Sequence, residues 1–95
     1  MTDAQPTVTA DSDRVRVTTW RFADSGAATG RHRHELDYVV VPVTGGVLTV
    51  VAPDGTTQQM IQHPGESYLG SAGTEHDVIS GSVGEAVFVE VEHKP

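Results

Sequence analysis

Apolar and polar residues alternate along much of the chain, in short segments separated by turns. Residues 14–22 read RVRVTTWRF, with an apolar residue at every second position except for a slip at Thr18 and Thr19. This period of two predicts a half-buried strand, and the slip predicts a β-bulge. Residues 38–43 are almost all β-branched, which indicates a buried strand. Pro42 places that strand at a sheet edge or a bulge, because proline donates no ladder hydrogen bond.

The rest of the chain continues this pattern of strands and turns. Pro53, Asp54 and Gly55 form a strong hairpin signal, and no stretch combines a helical period with capping residues. About eight short strands without helices predict an all-β, antiparallel sandwich or barrel. We expect the polar residues 1–13 to form a flexible tail or a loosely docked edge, and residues 14–95 to form a single domain. The remaining strands are predicted over residues 47–52, 56–61, 68–69, 76–80 and 86–91.

The charge and cysteine content exclude several kinds of partner and site. The formal net charge is −7, from 13 acidic and 6 basic side chains, which disfavours nucleic acids and anionic membranes. The chain has no cysteine, so it forms no disulfide or thiolate metal site, and His, Asp and Glu are its available ligands. We find no secretory signal and no membrane span, and we expect a cytoplasmic protein.

Two histidines one residue apart, His32 and His34, stand immediately before the buried strand at residues 38–43. Residues i and i+2 of an extended segment point to the same side, so the two imidazoles can converge on one ion. Asp37 follows them, and His76 lies in a second glycine-rich stretch. We predict that these four residues bind one divalent transition metal, Fe, Mn, Ni, Co, Cu or Zn. Four protein ligands would leave positions open for water, dioxygen or a substrate.

Both glycine-rich stretches resemble the two sequence motifs of the cupin family. The first family motif runs Gly, five residues, His-X-His, three or four residues, Glu, six residues, Gly. Here five residues separate Gly26 from His32, and Gly46 matches the closing glycine. Asp37 resembles the family glutamate, although only two residues separate it from His34 and it is Asp rather than Glu. Glu35 is the alternative carboxylate ligand.

The second family motif runs Gly, five residues, Pro-X-Gly, two residues, His, three residues, Asn. This chain matches it with Gly65, Gly73 and His76, while Ser71 replaces the proline and Ser80 the asparagine. The resemblance covers roughly residues 14–91. It implies a double-stranded β-helix, or jelly-roll, barrel whose metal ligands point inward near one open end.

The other candidate side chains are expected to have structural or solvent-exposed roles. His63 and His93 match no motif and are expected at the surface. Arg31 and Arg33 alternate with the histidines, so they should face away from the metal, unless one grips a substrate carboxylate at the barrel mouth. The aromatic residues are expected in the core or an interface, with a pocket position as the alternative for Tyr38 and Tyr68.

The resemblance implies a metal-dependent enzyme of the dioxygenase, isomerase or lyase type. Its substrate would be a small oxygenated metabolite such as an organic acid or a sugar derivative. The alternative is a non-catalytic ligand-binding or sensing module, which the changed motif positions leave open. In either case we expect a homodimer, because a chain of this size with β edges gains by pairing them.

Overall fold

The computed structural model describes residues 3–95, and this part of the chain forms nine β-strands and no helix. The prediction of an all-β protein is confirmed, and the described residues include no helix that could cross a membrane. The strands are β1 (Gln5–Asp11), β2 (Val15–Phe22), β3 (His32–Arg33), β4 (Tyr38–Pro42), β5 (Gly46–Val51), β6 (Thr57–Gln62), β7 (Tyr68–Gly70), β8 (Glu75–Ser80) and β9 (Ala86–His93).

The strands form two sheets whose strand orders differ from their order in the chain. One sheet has the order β1-β2-β9-β4-β7, and the other has the order β3-β8-β5-β6. Every pair of these strands is antiparallel, including the long-range pairs β2–β9, β4–β9 and β5–β8. This is the antiparallel double-stranded β-helix that the motif resemblance implied.

The core lies between the inward faces of the two sheets. Its largest fully buried side chains are Phe22 and Pro42, and the ring centroid of Phe22 lies 5.6 Å from that of Phe88. Val40 and Leu48 add aliphatic packing at 3% exposure each. Burying one such side chain contributes about 1.5–3 kcal/mol. Phe22, Val40, Leu48 and Phe88 therefore belong to one hydrophobic core cluster.

The N-terminal residues form a docked edge, the second of the two predicted alternatives, rather than a flexible tail. Residues 5–11 form strand β1, which pairs with β2 at the edge of the larger sheet. All seven of its residues are exposed, so backbone hydrogen bonds rather than core contacts hold it in place. A strand that is exposed along its whole length needs no hydrophobic alternation, which is why the sequence pattern did not predict a strand there. The first two residues of the predicted tail lie outside the described part of the chain.

The bulge predicted in the second strand lies in its neighbour instead. Strand β2 pairs with β9 in continuous register, whereas the pairing of β1 with β2 shifts between Val8 and Ala10. The apolar slip in β2 arises because Thr18 is a buried inward residue, 6% exposed, while Val15 and Val17 face outward. The edge position predicted for Pro42 fits the pairing, since β7 covers β4 only as far as Val40.

Candidate metal centre

Three histidines from distant parts of the chain meet at the inner wall of the barrel. His32 on β3 and His76 on β8 are direct cross-strand partners, and His34 follows β3 by one residue. One ring nitrogen from each histidine lies within 4.8 Å of the other two. The structure therefore brings together the three predicted histidines, which could hold a metal ion.

The separations of the ring nitrogens match those of ligands around a common ion. The Nε2 atom of His34 lies 3.1 Å from that of His32 and 3.1 Å from that of His76. Imidazole nitrogens bound to Zn²⁺ at about 2.0–2.1 Å, with bond angles of about 90–110°, are separated by about 3.0–3.4 Å. The donor set and its spacing therefore fit a divalent transition metal.

The orientation of His32 is fixed by groups on the loop that precedes it. Its Nδ1 lies 2.9 Å from the backbone oxygen of Gly30 and 3.3 Å from the hydroxyl of Thr29. A proton on Nδ1 donates to the Gly30 carbonyl and leaves the lone pair of Nε2 free toward the cluster. Metal-binding histidines commonly have such a partner on the second ring nitrogen.

His34 is the most buried member of the cluster, at 7% exposure. Its backbone N–H donates to the carbonyl of Thr74, and its own carbonyl accepts from the N–H of Gly73. Its ring stacks on Tyr38, with centroids 3.9 Å apart and planes 20° apart. Burial is the main cause that lowers its pKa to about 4, and the nearby His32 and His76 contribute in the same direction. His34 is therefore a neutral imidazole at pH 7.

His76 has a similar but smaller perturbation. Burial is the main cause that lowers its pKa, His32 adds to this, and the carboxylate of Asp77 opposes it. A metal ligand must be neutral imidazole, because a protonated ring nitrogen has no lone pair to donate. The environment of the cluster thus favours the metal-binding form of both residues.

Asp37, predicted as the fourth ligand, does not belong to this cluster. Its Oδ1 accepts a hydrogen bond of 2.8 Å from the backbone N–H of Ala72, and the residue is exposed beside His93 and Lys94. The chain bends at residues 35–36, between the histidine pair and β4, and this bend turns Asp37 out of the barrel. We therefore correct the prediction of Asp37 as a ligand.

The alternative carboxylate, Glu35, is also outside the cluster. Its side chain is 78% exposed and lies 3.6 Å from Nε of Arg33. Arg31 similarly pairs with Glu75, at 2.9 Å, and is 60% exposed. Both arginines thus face away from the histidines, as the alternation predicted. Among the described residues the cluster consists of histidines alone.

The open side of the cluster faces a cavity of about 310 Å³ inside the barrel. This volume is at the lower end for ligand sites, so the cavity suits a small molecule. Most of its wall is apolar or aromatic. Its aromatic lining consists of Trp20, Tyr38, Tyr68 and Phe88 together with the three histidines.

One acidic residue in this wall, Glu90, had not been singled out in the sequence. It is 8% exposed, and burial, followed by repulsion from Glu92, raises its pKa to about 7. A signal was available, because the period of two in the last strand puts Glu90 on the same face as the buried Ala86 and Phe88.

This fold and histidine cluster define a class, and the chain belongs to the cupin superfamily. The chain superposes on the crystal structure of a cupin domain from Bordetella pertussis Tohama I with a TM-score of 0.93. The two are 48% identical, over 99% of this chain and 96% of that one. A likeness of fold alone, at 24% identity and a TM-score of 0.71, links it to the polyketide cyclase RemF from Streptomyces resistomycificus, over 99% of this chain and 69% of that one.

Among curated proteins, the chain is similar to the β-alanine degradation protein BauB of Pseudomonas aeruginosa. The two are 52% identical over 91 residues, which is 96% of this chain and 94% of BauB. No protein-family model matches the sequence.

Proposed function

We propose that this protein binds one divalent transition metal through His32, His34 and His76 and is a metal-dependent enzyme acting on a small oxygenated metabolite. The observation that supports this most is the convergence of three imidazoles at the wall of a cavity. Three protein ligands leave at least one coordination position for a water or substrate, which is typical of catalytic sites. A metal bound there would supply Lewis-acid or oxygen-carrying chemistry.

The residues around the cluster would prepare the substrate for this chemistry. The stacking of Tyr38 on His34 fixes one ligand, and the apolar wall excludes water from the cavity. The carboxyl of Glu90, with a pKa of about 7, can hold or release a proton at neutral pH. These are the properties expected of an acid–base reaction on a small molecule.

The substrate class we favour is that of short organic acids related to β-alanine. BauB, which shares half of its residues with this chain, is named for β-alanine degradation. A cavity of about 310 Å³ accommodates a molecule of this size. A carboxylate is also a natural ligand for a metal with open positions.

The test is metal analysis followed by a screen for turnover. We expect purified protein to carry about one transition metal ion per chain, by mass spectrometry. A His76→Ala variant should lose it, whereas His63→Ala, an exposed histidine outside the cluster, should retain it. Metal-loaded protein is then screened with β-alanine and short oxo- and hydroxy-acids for product formation and dioxygen uptake. Equal, negligible metal in all three proteins would refute the proposed site.

A second candidate function is ligand binding or sensing without catalysis. The observation that favours it is the absence of a carboxylate from the cluster formed by the described residues. Such a protein would bind the same short acids in calorimetry but release them unchanged. Turnover of any of them above the rate given by free metal would exclude this alternative.

We also propose that the protein is a homodimer, joined through the outward face of the larger sheet. Cross-strand neighbours place valines side by side on this face, which we call the valine face. The row Leu69, Val39, Val91, Val17 and Ala10 crosses all five strands, and the next row adds Val41 and Val89. Five strands at about 4.8 Å spacing give a flat patch about 24 Å wide.

A second copy of the chain is the partner that fits the valine face. No charged residue lies in either row, so two copies can stack face to face despite a net charge of −7 each. A two-fold interface needs a surface that is complementary to itself, and a flat uncharged valine sheet satisfies this. Leu69, which is 82% exposed, would then be covered.

The dimer is tested by sedimentation velocity. Val39→Lys places a charge in the centre of the valine face and should produce monomers. Ile61→Lys is the matched control, since Ile61 is 65% exposed on a strand of the other sheet and should leave the dimer intact. A monomeric wild type, or a Val39→Lys variant that remains dimeric, would refute the proposed interface.

A further inference from the structure

Glu90 lies on β9, the middle strand of the larger sheet, and its side chain lines the cavity. It is opposite Val40 on β4 and Thr18 on β2, while Tyr38, which stacks on His34, lies two residues before Val40. At about 3.4 Å per residue and about 4.8 Å between strands, the Cα atoms of Glu90 and Tyr38 are about 8 Å apart. Glu90 and Tyr38 are therefore neighbours on adjacent strands, and both line the cavity.

The carboxyl of Glu90 has no protein partner within residues 3–95. No hydrogen bond reaches it, and its pKa reflects only burial and the charge of Glu92. Every fully buried side-chain oxygen or nitrogen in this range is hydrogen-bonded, so the Glu90 oxygens remain accessible from the cavity. A carboxyl that is more than nine-tenths buried is costly unless something pairs with it. A cationic group that enters the cavity can therefore pair with it.

The side chains that share the cavity with Glu90 suit a positively charged partner. Trp20, Tyr38, Tyr68 and Phe88 supply aromatic rings to its wall. Aromatic faces attract ammonium groups through the ring quadrupole, and a carboxylate adds a charge-assisted hydrogen bond. No lysine or arginine lines this cavity to compete for the carboxylate.

We propose that Glu90 and the aromatic wall form a subsite for a primary ammonium group, so that the cavity selects short amino acids whose amine is remote from the carboxylate. The ammonium would donate to the Glu90 carboxylate while the ligand's own carboxylate faces the three histidines. The second half of this arrangement rests on the proposed metal function; the ammonium subsite itself does not.

The experiment compares pairs of ligands that differ only in the amine. Titration calorimetry on the metal-loaded protein uses 3-aminopropanoate and propanoate, and propylamine serves as a probe that needs no metal. A charge-assisted hydrogen bond contributes about 1.5–3 kcal/mol, which is roughly a tenfold to a hundredfold preference for 3-aminopropanoate over propanoate. Glu90→Gln should remove this preference and weaken the binding of propylamine by a similar factor. The affinity for propanoate should change less than about twofold.

Glu92→Gln is the matched control, since it removes the neighbouring carboxylate on the same strand, which does not line the cavity. It should keep the wild-type preference. The proposal is overturned if wild type binds the two acids equally, or if Glu90→Gln retains the preference. Weak binding of both acids together with intact, Glu90-dependent binding of propylamine would refute the metal function and leave the ammonium subsite standing.

Discussion

Gly70 gives the sharpest test of how the fold supports the histidine cluster. It is opposite Tyr38 in the β4–β7 pair, and the Tyr38 ring lies directly over its Cα. A Cβ built at Gly70 would overlap three ring carbons of Tyr38, so the ring must move if any side chain is present. The ring's other face stacks on His34 at a centroid distance of 3.9 Å. Gly70→Ala therefore pushes the Tyr38 ring toward His34, the histidine whose Nε2 lies 3.1 Å from those of both other histidines.

We expect Gly70→Ala to lower both the free energy of unfolding and the affinity for metal. Overpacking a filled site by one carbon costs about 1–3 kcal/mol, and Gly70 has no positive φ that would add backbone strain. Disturbing a group that orients a metal ligand lowers metal affinity by about 10–100-fold. We expect Gly70→Ala to unfold at lower urea concentration and to bind Ni²⁺ or Zn²⁺ at least about tenfold more weakly than wild type.

Two further variants distinguish an effect transmitted through Tyr38 from non-specific destabilisation of the fold. Gly81→Ala is the matched control, because Gly81 also lacks a positive φ and its added Cβ would meet Val47 at an ordinary 3.5 Å. It should retain wild-type affinity. In the Tyr38→Ala background, Gly70→Ala should cost little, because the ring is gone. Wild-type metal affinity in Gly70→Ala, or an equal loss in both backgrounds, would refute the coupling through Tyr38.

Three other predictions concern stability. Glu90 has a folded pKa of about 7, above its ordinary 4.5, so the wild type loses stability as pH rises from 4.5 through 7. The free energy of unfolding of Glu90→Gln, relative to that of the wild type, should therefore rise by about 1–3 kcal/mol between pH 5 and pH 8, measured by urea unfolding. His34 has its pKa lowered to about 4, so its burial costs stability as pH falls below 6.5, and His34→Gln should flatten the acid side of the metal-free stability curve. Phe22→Ala should cost about 3–5 kcal/mol, against less than about 0.5 kcal/mol for the exposed Val83→Ala.

The sequence predicted the fold well because its strands follow the period of two and its turns carry glycine and proline. The predicted strand over residues 14–22 was found as β2, at Val15–Phe22, and the one over residues 38–43 as β4, at Tyr38–Pro42. Strand β1 was missed because its residues are exposed on both faces and have no apolar rhythm. Its position depends on backbone pairing with β2, which no local pattern encodes.

The histidines could be predicted because their spacing has a direct geometric meaning, and the carboxylate could not. Two residues apart on a strand means the same face, which holds for His32 and His34. That rule ends where the strand ends, and the bend at residues 35–36 reverses the direction in which Asp37 points. Glu90 was missed for a different reason: its strand alternation placed it inward, but only the paired register shows that its wall faces the histidines.

The cluster and Glu90 lie on opposite sheets, and this division bears on function. His32 and His76 belong to the smaller sheet, and their alignment comes from the two-residue pairing of β3 with β8. Glu90 belongs to the middle of the larger sheet, paired on both sides by β2 and β4. Two aromatic stacks connect the sides: His34 on Tyr38 at 3.9 Å, and His32 on Trp20 of β2 at 6.4 Å between ring centroids. A ligand that contacts both the histidines and Glu90 would therefore join the sheets across the cavity, in addition to the two aromatic stacks that already link them.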